Sequence, residues 1–143
     1  MTAVTSNALS LLGLALRGNH LAVGEEPVAE ACRTGRARLV LTAADAADNS
    51  ADRARRWAEN GGIPWARTPW EKAELGFALG RGVCAMAALT DGGLAAALAR
   101  KLAGTDPQYQ PLADRLAADI RSIQPMKKKN ARAKAKRPAV PET

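Results

Sequence analysis

The chain has 143 residues and a formal charge of +7, from 21 Lys and Arg against 14 Asp and Glu, a size that a single hydrophobic core serves. A membrane span needs about 20 consecutive apolar residues; the longest comparable run, Ala8 to Leu16, is far shorter and interrupted by Ser10, and the first basic residue, Arg17, lies on the wrong side of it for a secretory leader, so the chain reads as cytoplasmic. Cys32 and Cys84 have no CxxC partner and His20 is the single histidine, which argues against a zinc set or a catalytic triad and for buried thiols in a reducing compartment.

In chain order, Ser6 or Asn7 is expected to cap a first helix striped by Leu9, Leu12 and Leu16 and stopped at Gly18. His20 to Val23 reads as a short strand. A second helix is predicted from Glu25: Glu25 and Glu26 complement the positive end of the helix dipole, Pro27 suits the first turn, and Val28, Ala31 and Cys32 form an apolar stripe closed by Arg33 and Gly35. Arg38 to Thr42 holds the unbroken run Leu39-Val40-Leu41, the pattern of a strand covered on both faces. After a loop from Ala43 to Ser50, a third helix is predicted over Ala51 to Asn60, with Trp57 inward, Arg53, Arg55 and Arg56 solvated, and Gly61-Gly62 as its end. Ile63 to Ala66 is the third strand. Thr68-Pro69-Trp70-Glu71 predicts a helix start with Thr68 and Glu71 as a capping box, and that helix reaches Leu79. Val83 to Leu89 is the fourth strand, and Thr90-Asp91 caps a fifth helix striped by Leu94, Leu98 and Leu102 and stopped at Gly104. Helices alternating with strands predict an α/β layered domain over residues 1–104.

Beyond Gly104 the character changes. Pro107 and Pro111 predict a linker over 105–111, and Leu112, Leu116, Ile120 and Ile123 then fall on one face of a helix over 112–125. That helix reads as an accessory element packing on the body, with partner docking as the alternative. Residues 126–143 carry Lys127, Lys128, Lys129, Arg132, Lys134, Lys136 and Arg137 against the single acid Glu142; with almost no large apolar residue, this tail is expected to be disordered when free. The rest of the chain holds 14 basic and 13 acidic residues. A near-neutral body thus carries a polycation.

Gly76, Gly80 and Gly82 do not form a phosphate loop, because no GK[ST] follows and the first glycine lies inside a helix rather than after a strand. They read as a helix end followed by a tight Gly80-Arg81-Gly82 turn that exposes Arg81 and lets a backbone come close. The turn serves either plain chain reversal or a backbone and guanidinium surface for a nucleic acid. Trp65 and Trp70 flank a loop and have two readings, stacking on an unpaired base and core packing, the simpler account of both. The carboxylate pairs Glu25/Glu26 and Asp45/Asp48 have no His or Cys nearby. No catalytic constellation, metal site or cofactor is expected.

Several stretches, in order, carry a resemblance: Leu11-Leu12-Gly13-Leu14-Ala15, Val23-Gly24-Glu25-Glu26, Gly35 to Ala46, Leu75-Gly76 with Gly80-Arg81-Gly82, and Leu89-Thr90-Asp91. Together, from about Ala8 to Leu102, the chain resembles the ribosomal protein L7Ae/L30e family, in particular its bacterial YlxQ-type branch. The resemblance implies a three-layer α-β-α sandwich with a mixed four-stranded sheet, and binding of structured RNA, such as kink-turns, in ribosome-related particles. The family's RNA motif, Gly-x-Asn-Glu-x-x-Lys, maps onto Gly24, with Glu26 at the Asn, Pro27 at the Glu and Glu30 at the Lys. Glu26 brings a carboxylate near phosphates and Pro27 offers no side-chain hydrogen bond, so kink-turn specificity does not follow. Arg81-Gly82-Val83 falls in the loop that presses on flipped bases, Ala44-Asp45-Ala46 in the loop after the second strand, and Arg33, Arg36 and Arg38 add positive charge near the far end of the second helix. The expected RNA contacts are therefore Gly24, Glu25, Glu26, Pro27, Arg33, Arg36, Asp45, Arg81, Gly82 and Val83, with the seven basic tail residues on phosphates. The reading is a monomeric, non-enzymatic binder of structured RNA associated with ribosomes or translation; its rival is a protein-interaction module that the tail tethers to ribosome or nucleoid.

Overall fold

The computed structural model describes residues 3–119, with side chains from Asn7 onward. The elements are α1 (Ala3–Arg17), β1 (Leu21–Val23), α2 (Glu25–Arg33), β2 (Leu39–Thr42), α3 (Asp48–Asn60), β3 (Trp65–Arg67), α4 (Lys72–Ala78), β4 (Met86–Leu89) and α5 (Gly92–Thr105). The sheet order is β1-β4-β2-β3, with β4 antiparallel to both neighbours and β2 parallel to β3. The central strands β2 and β4 are buried at every position, which is why they read as continuous apolar runs. Their side chains alternate between faces: Leu39, Leu41, Ala87 and Leu89 enter the core shared with α1, α4 and α5, whereas Val40, Met86 and Ala88 enter the one shared with α2 and α3. This is the α-β-α sandwich with its mixed four-stranded sheet. The α2/α3 layer lies close to the sheet because α3 turns only Ala51, Ala54 and Ala58 fully inward.

Element ends differ from expectation where tertiary contacts intervene. The helix α1 begins before Ser6 and Asn7, so neither caps it, and its buried stripe is Ala8, Leu12 and Ala15, with Leu9 and Leu16 half-buried. The helix α3 starts at Asp48 rather than Ala51, with Asp48 favourably placed in its first turn, and Trp57 is only partly buried. At α4 the expected Thr68 cap fails. The Thr68 hydroxyl donates to the Thr42 carbonyl at 3.0 Å, deep in the protein, and the capping box forms between Glu71 and Glu74 instead, with the Glu71 N–H donating to Glu74 Oε1 at 2.9 Å. Strand β4 starts only at Met86, opposite the last residue of β2, and leaves Val83 outside the sheet and exposed.

The expected linker is a docked turn. The Asp106 side chain accepts from the Gln108 N–H and starts a short 3-10 turn, Pro107–Tyr109; Tyr109 is buried and its hydroxyl donates to the Arg67 carbonyl at 2.7 Å. Residues 110–119 are helical. Ala113 and Leu116 are buried in the α1/α4/α5 core, and Arg115 Nη2 donates to the Gly62 carbonyl at 2.9 Å. The apolar face read as a packing or docking stripe is thus occupied by the body as far as Leu116. Ile120, Ile123 and the basic tail lie outside the described residues.

Candidate nucleic-acid interface

Strand pairing brings distant segments to one end of the sheet. Val23 lies opposite Ala87, and Thr42 opposite Met86. The residues that follow β1, those that follow β2 and those that precede β4 therefore share an edge. The Gly24 N–H donates to the Met86 carbonyl at 3.1 Å, and the Ala43 N–H to the Ala85 carbonyl at 2.9 Å. Gly24, Glu25, Glu26, Pro27, Asp45, Arg81, Gly82 and Val83 gather here. Arg33 and Arg36 do not. They sit at the other end of α2, about 12 Å along its axis, near where the Arg38 N–H meets the Leu89 carbonyl at 2.7 Å.

Gly24, with φ +100°, precedes the first turn of α2 in a conformation that side chains disfavour. No side chain caps this helix end. The Val28 N–H returns to the Gly24 carbonyl at 3.1 Å and Pro27 has no N–H, so the outward donors are the backbone amides of Glu25 and Glu26. The Glu25 carboxylate turns sideways to α3, where Ser50 Oγ donates to it at 3.2 Å and Arg53 forms an ion pair with it. The Arg53 guanidinium, aided by Ser50 and opposed by partial desolvation, holds the Glu25 carboxyl below its ordinary range. Glu25 is thus a neutralised tie between helices. Glu26 and Glu30 stay exposed on the crest of α2, between grooves of about 360 Å³ and 600 Å³ whose walls they share. Both grooves are lined by these two acids, and each also holds one arginine, Arg36 in the smaller and Arg33 in the larger.

The Glu25 tie has a signed pH consequence. A carboxyl whose folded pKa is lowered contributes stability that is present above the unfolded carboxylate range and is lost as pH falls through the folded pKa. Arg53→Ala is expected to return the Glu25 pKa upward, seen by carboxyl NMR. Its small destabilisation relative to wild type at pH 7 should shrink in urea titrations as pH drops below the ordinary carboxylate range and vanish once pH has fallen through the lowered folded pKa of Glu25.

The loop of residues 43–46 is braced on all sides. The Ala44 N–H donates to the Trp70 carbonyl at 2.7 Å, Arg67 Nη1 donates to the Ala44 carbonyl at 3.0 Å, and Asp45 Oδ1 accepts from the Lys72 N–H at 2.7 Å. Asp45 therefore fastens the loop to the start of α4. The same contacts bring the Arg67 guanidinium and the backbone of Lys72 beside this loop. These two and Arg53 are the residues that sequence reasoning missed, and no local pattern marks them, because their partners lie 23, 27 and 28 positions away.

The segment 80–83 lies against α4 at Gly76. A Cβ there would stand 2.6 Å from the Gly82 carbonyl oxygen and 2.7 Å from Val83 Cα, so the backbone crossing requires glycine inside the helix itself. The Arg81 N–H donates to the Gly76 carbonyl at 2.7 Å and Gly80 turns the chain at φ +71°. Arg81, Gly82 and Val83 are all exposed. Neither tryptophan offers a free face for stacking: Trp70 is buried, and Trp65 is half-buried against the α2/α3 core with the Arg55 guanidinium 5.9 Å from its ring centre.

Cys32 and Cys84 are buried free thiols. Burial raises both pKa values, and Cys84 Sγ donates to the Met86 carbonyl at 3.2 Å, so both stay protonated and unreactive at neutral pH. Among the described residues, no three His, Cys, Asp or Glu side chains are grouped to hold a metal ion, and no helix is long and apolar enough to cross a membrane.

A four-stranded mixed sheet between two helical layers, with three loops meeting at one sheet end, defines a domain of the L7Ae type. Residues 6–98 match the model of the ribosomal protein L7Ae/L30e/S12e/Gadd45 family, and the chain belongs to that family. It is 34% identical over 85 residues to the RNA-binding protein YlxQ of Bacillus subtilis (strain 168), a match that spans 59% of this chain and 84% of YlxQ. A solved structure of a protein of unknown function from Bacillus halodurans C is similar with a TM-score of 0.62 at 30% identity, covering 66% of this chain and 95% of the other. The Giardia lamblia 15.5kD RNA binding protein shares the fold with a TM-score of 0.57 at 21% identity, over 73% of this chain and 91% of that one.

Proposed function

We propose that this protein binds structured RNA in the cytoplasm, as a monomer and without catalysis, in association with the ribosome or translation. The body reads RNA shape and the basic tail adds phosphate contacts. The observation that carries this reading is the convergence of Gly24–Pro27, residues 43–46 and residues 80–83 on one end of the sheet, in a chain related to an RNA-binding protein. An open helix N-terminus donates its amide N–H groups to phosphate or base oxygens, Val83 supplies an apolar tip, and Arg67, Lys72 and Arg81 supply cations nearby. Glu26 and Pro27 give no side-chain donor, so recognition falls on backbone and loop rather than on purine edges read by amide side chains.

Crosslinking in cells followed by sequencing identifies the RNA. With that RNA, Arg81→Ala is expected to weaken filter binding roughly tenfold, the value of a charge-assisted phosphate contact. Arg100→Ala, an exposed cation on α5, is expected to leave it unchanged. Equal affinities for the Arg81 variant and wild type would remove the loop from the interface.

A further inference from the structure

Resting on the RNA-binding reading above, we propose that Phe77 is a stacking platform for one unpaired nucleotide of the bound RNA, with Arg81 pairing to that nucleotide's phosphate. The chain has five aromatic residues. Trp70 and Tyr109 are buried, and Trp57 and Trp65 are half-buried against the core. Phe77, the single phenylalanine, is 89% exposed. Its place in the fold explains what such a ring meets. Ala73 lies one turn before it on the exposed face of α4, and Gly80 and Arg81 follow in the turn beyond the helix end, the Gly80 N–H donating to the Phe77 carbonyl at 3.3 Å. The small residues put little bulk along the ring, and Arg81, exposed four positions on, sits on a segment whose backbone is fastened to α4 by its N–H donating to the Gly76 carbonyl at 2.7 Å. Phe77 is also next in chain to Gly76, on which the backbone of Gly82 and Val83 rests, so the ring directly extends the exposed segment 80–83.

Three arguments favour a base over an apolar protein partner. The large apolar side chains exposed among the described residues are Leu14, Phe77 and Val83, too small an area for a stable interface between copies of this chain. An exposed ring followed four positions later by an exposed arginine suits a nucleotide, whose base offers a π-face and whose phosphate offers a negative charge. The ring is also held on a capped helix, so little backbone ordering accompanies stacking. Because every base has a π-face, such a platform selects for an unpaired nucleotide rather than for a particular base.

The test uses the full chain and two RNA probes: a fully paired two-strand duplex, and the same duplex with an internal loop of unpaired uridines in which one is 5-iodouridine. Phe77→Ala is expected to weaken binding to the looped duplex by about 5- to 100-fold while leaving the paired duplex unaffected. Phe77→Trp should retain binding, and irradiation should crosslink the iodouridine to the peptide that contains Phe77. Unchanged binding of Phe77→Ala to the looped duplex, or equal losses on both probes, overturns the proposal. If Arg81→Ala weakens looped RNA and Phe77→Ala does not, the RNA site stands and the stacking role falls. If wild type binds neither probe, both readings fall. If Phe77→Ala alters only self-association in sedimentation, the ring is a contact between copies and the proposal also falls.

Discussion

Deleting Lys127 to Arg137 is expected to flatten the salt dependence of RNA binding and to lower affinity most at low ionic strength. Each phosphate neutralised by a cation releases condensed counterions, with a slope of about −0.9 in log affinity against log salt on a duplex and about −0.7 on single strands. The segment carries seven cations, so its removal takes away a slope of up to about −6 on duplex RNA and about −5 on single strands. The body cannot replace it. Residues 1–125 hold 14 basic and 13 acidic residues, Glu26 and Glu30 are exposed on α2, and Arg53 is engaged by Glu25. Filter binding over a salt series measures the change, and the shortened chain should still distinguish looped from fully paired RNA. An unchanged slope would take the tail off the phosphates. Loss of all RNA binding at low salt would remove the shape-reading role of the body.

Trp70→Ala is expected to cost about 3–5 kcal/mol and to lower the melting temperature by about 10–20 °C. Trp70 is 1% exposed and among the largest fully buried side chains of the protein. It lies in the core with Leu75, Ala43 and Ala46, directly behind two parts of the candidate interface. Its carbonyl accepts from the Ala44 N–H at 2.7 Å, and two residues later the Lys72 N–H donates to Asp45. A cavity here should therefore loosen the loop 43–46 as well as the core, so RNA affinity should fall together with stability. Trp70→Phe keeps most of the buried ring and should cost distinctly less, as should Trp65→Ala at a half-buried site. Thermal melts and urea titrations separate the three. A Trp70→Ala protein that melts like wild type would show that the ring is not a core post.

The layered α/β architecture was legible because helical and strand periodicities are local properties. The run Leu39-Val40-Leu41 announced a doubly covered strand, and Asp91 caps α5 as expected, its side chain accepting from the Leu94 N–H at 2.9 Å. The burial of both cysteines followed from their apolar neighbours. The order of weak motifs pointed to the family whose model matches residues 6–98. Errors arose where a local signal had a distant competitor. Thr68 has the right spacing for a cap, but its hydroxyl is taken by the Thr42 carbonyl, 26 positions away. The prolines after Gly104 looked like a linker, but Tyr109 finds a carbonyl on β3, 42 positions back.

The candidate site shows the same division more sharply. Composition and patterning determined by themselves that this is a near-neutral α/β body with its surplus cations beyond the domain, and that Gly24, Arg81 and their neighbours deserved scrutiny. Sheet order decided the rest. Pairing of β4 between β1 and β2 gathers Gly24, Asp45 and Val83 at one end and leaves Arg33 and Arg36 at the other. The fold also turns Glu25 from an acid facing RNA into a partner of Arg53, makes Asp45 a brace, buries Trp70 and leaves Phe77 in solvent. Side-chain type and spacing are written along the chain. Which groups meet depends on strand pairing and burial between residues tens of positions apart, and those contacts exist only once the chain has folded.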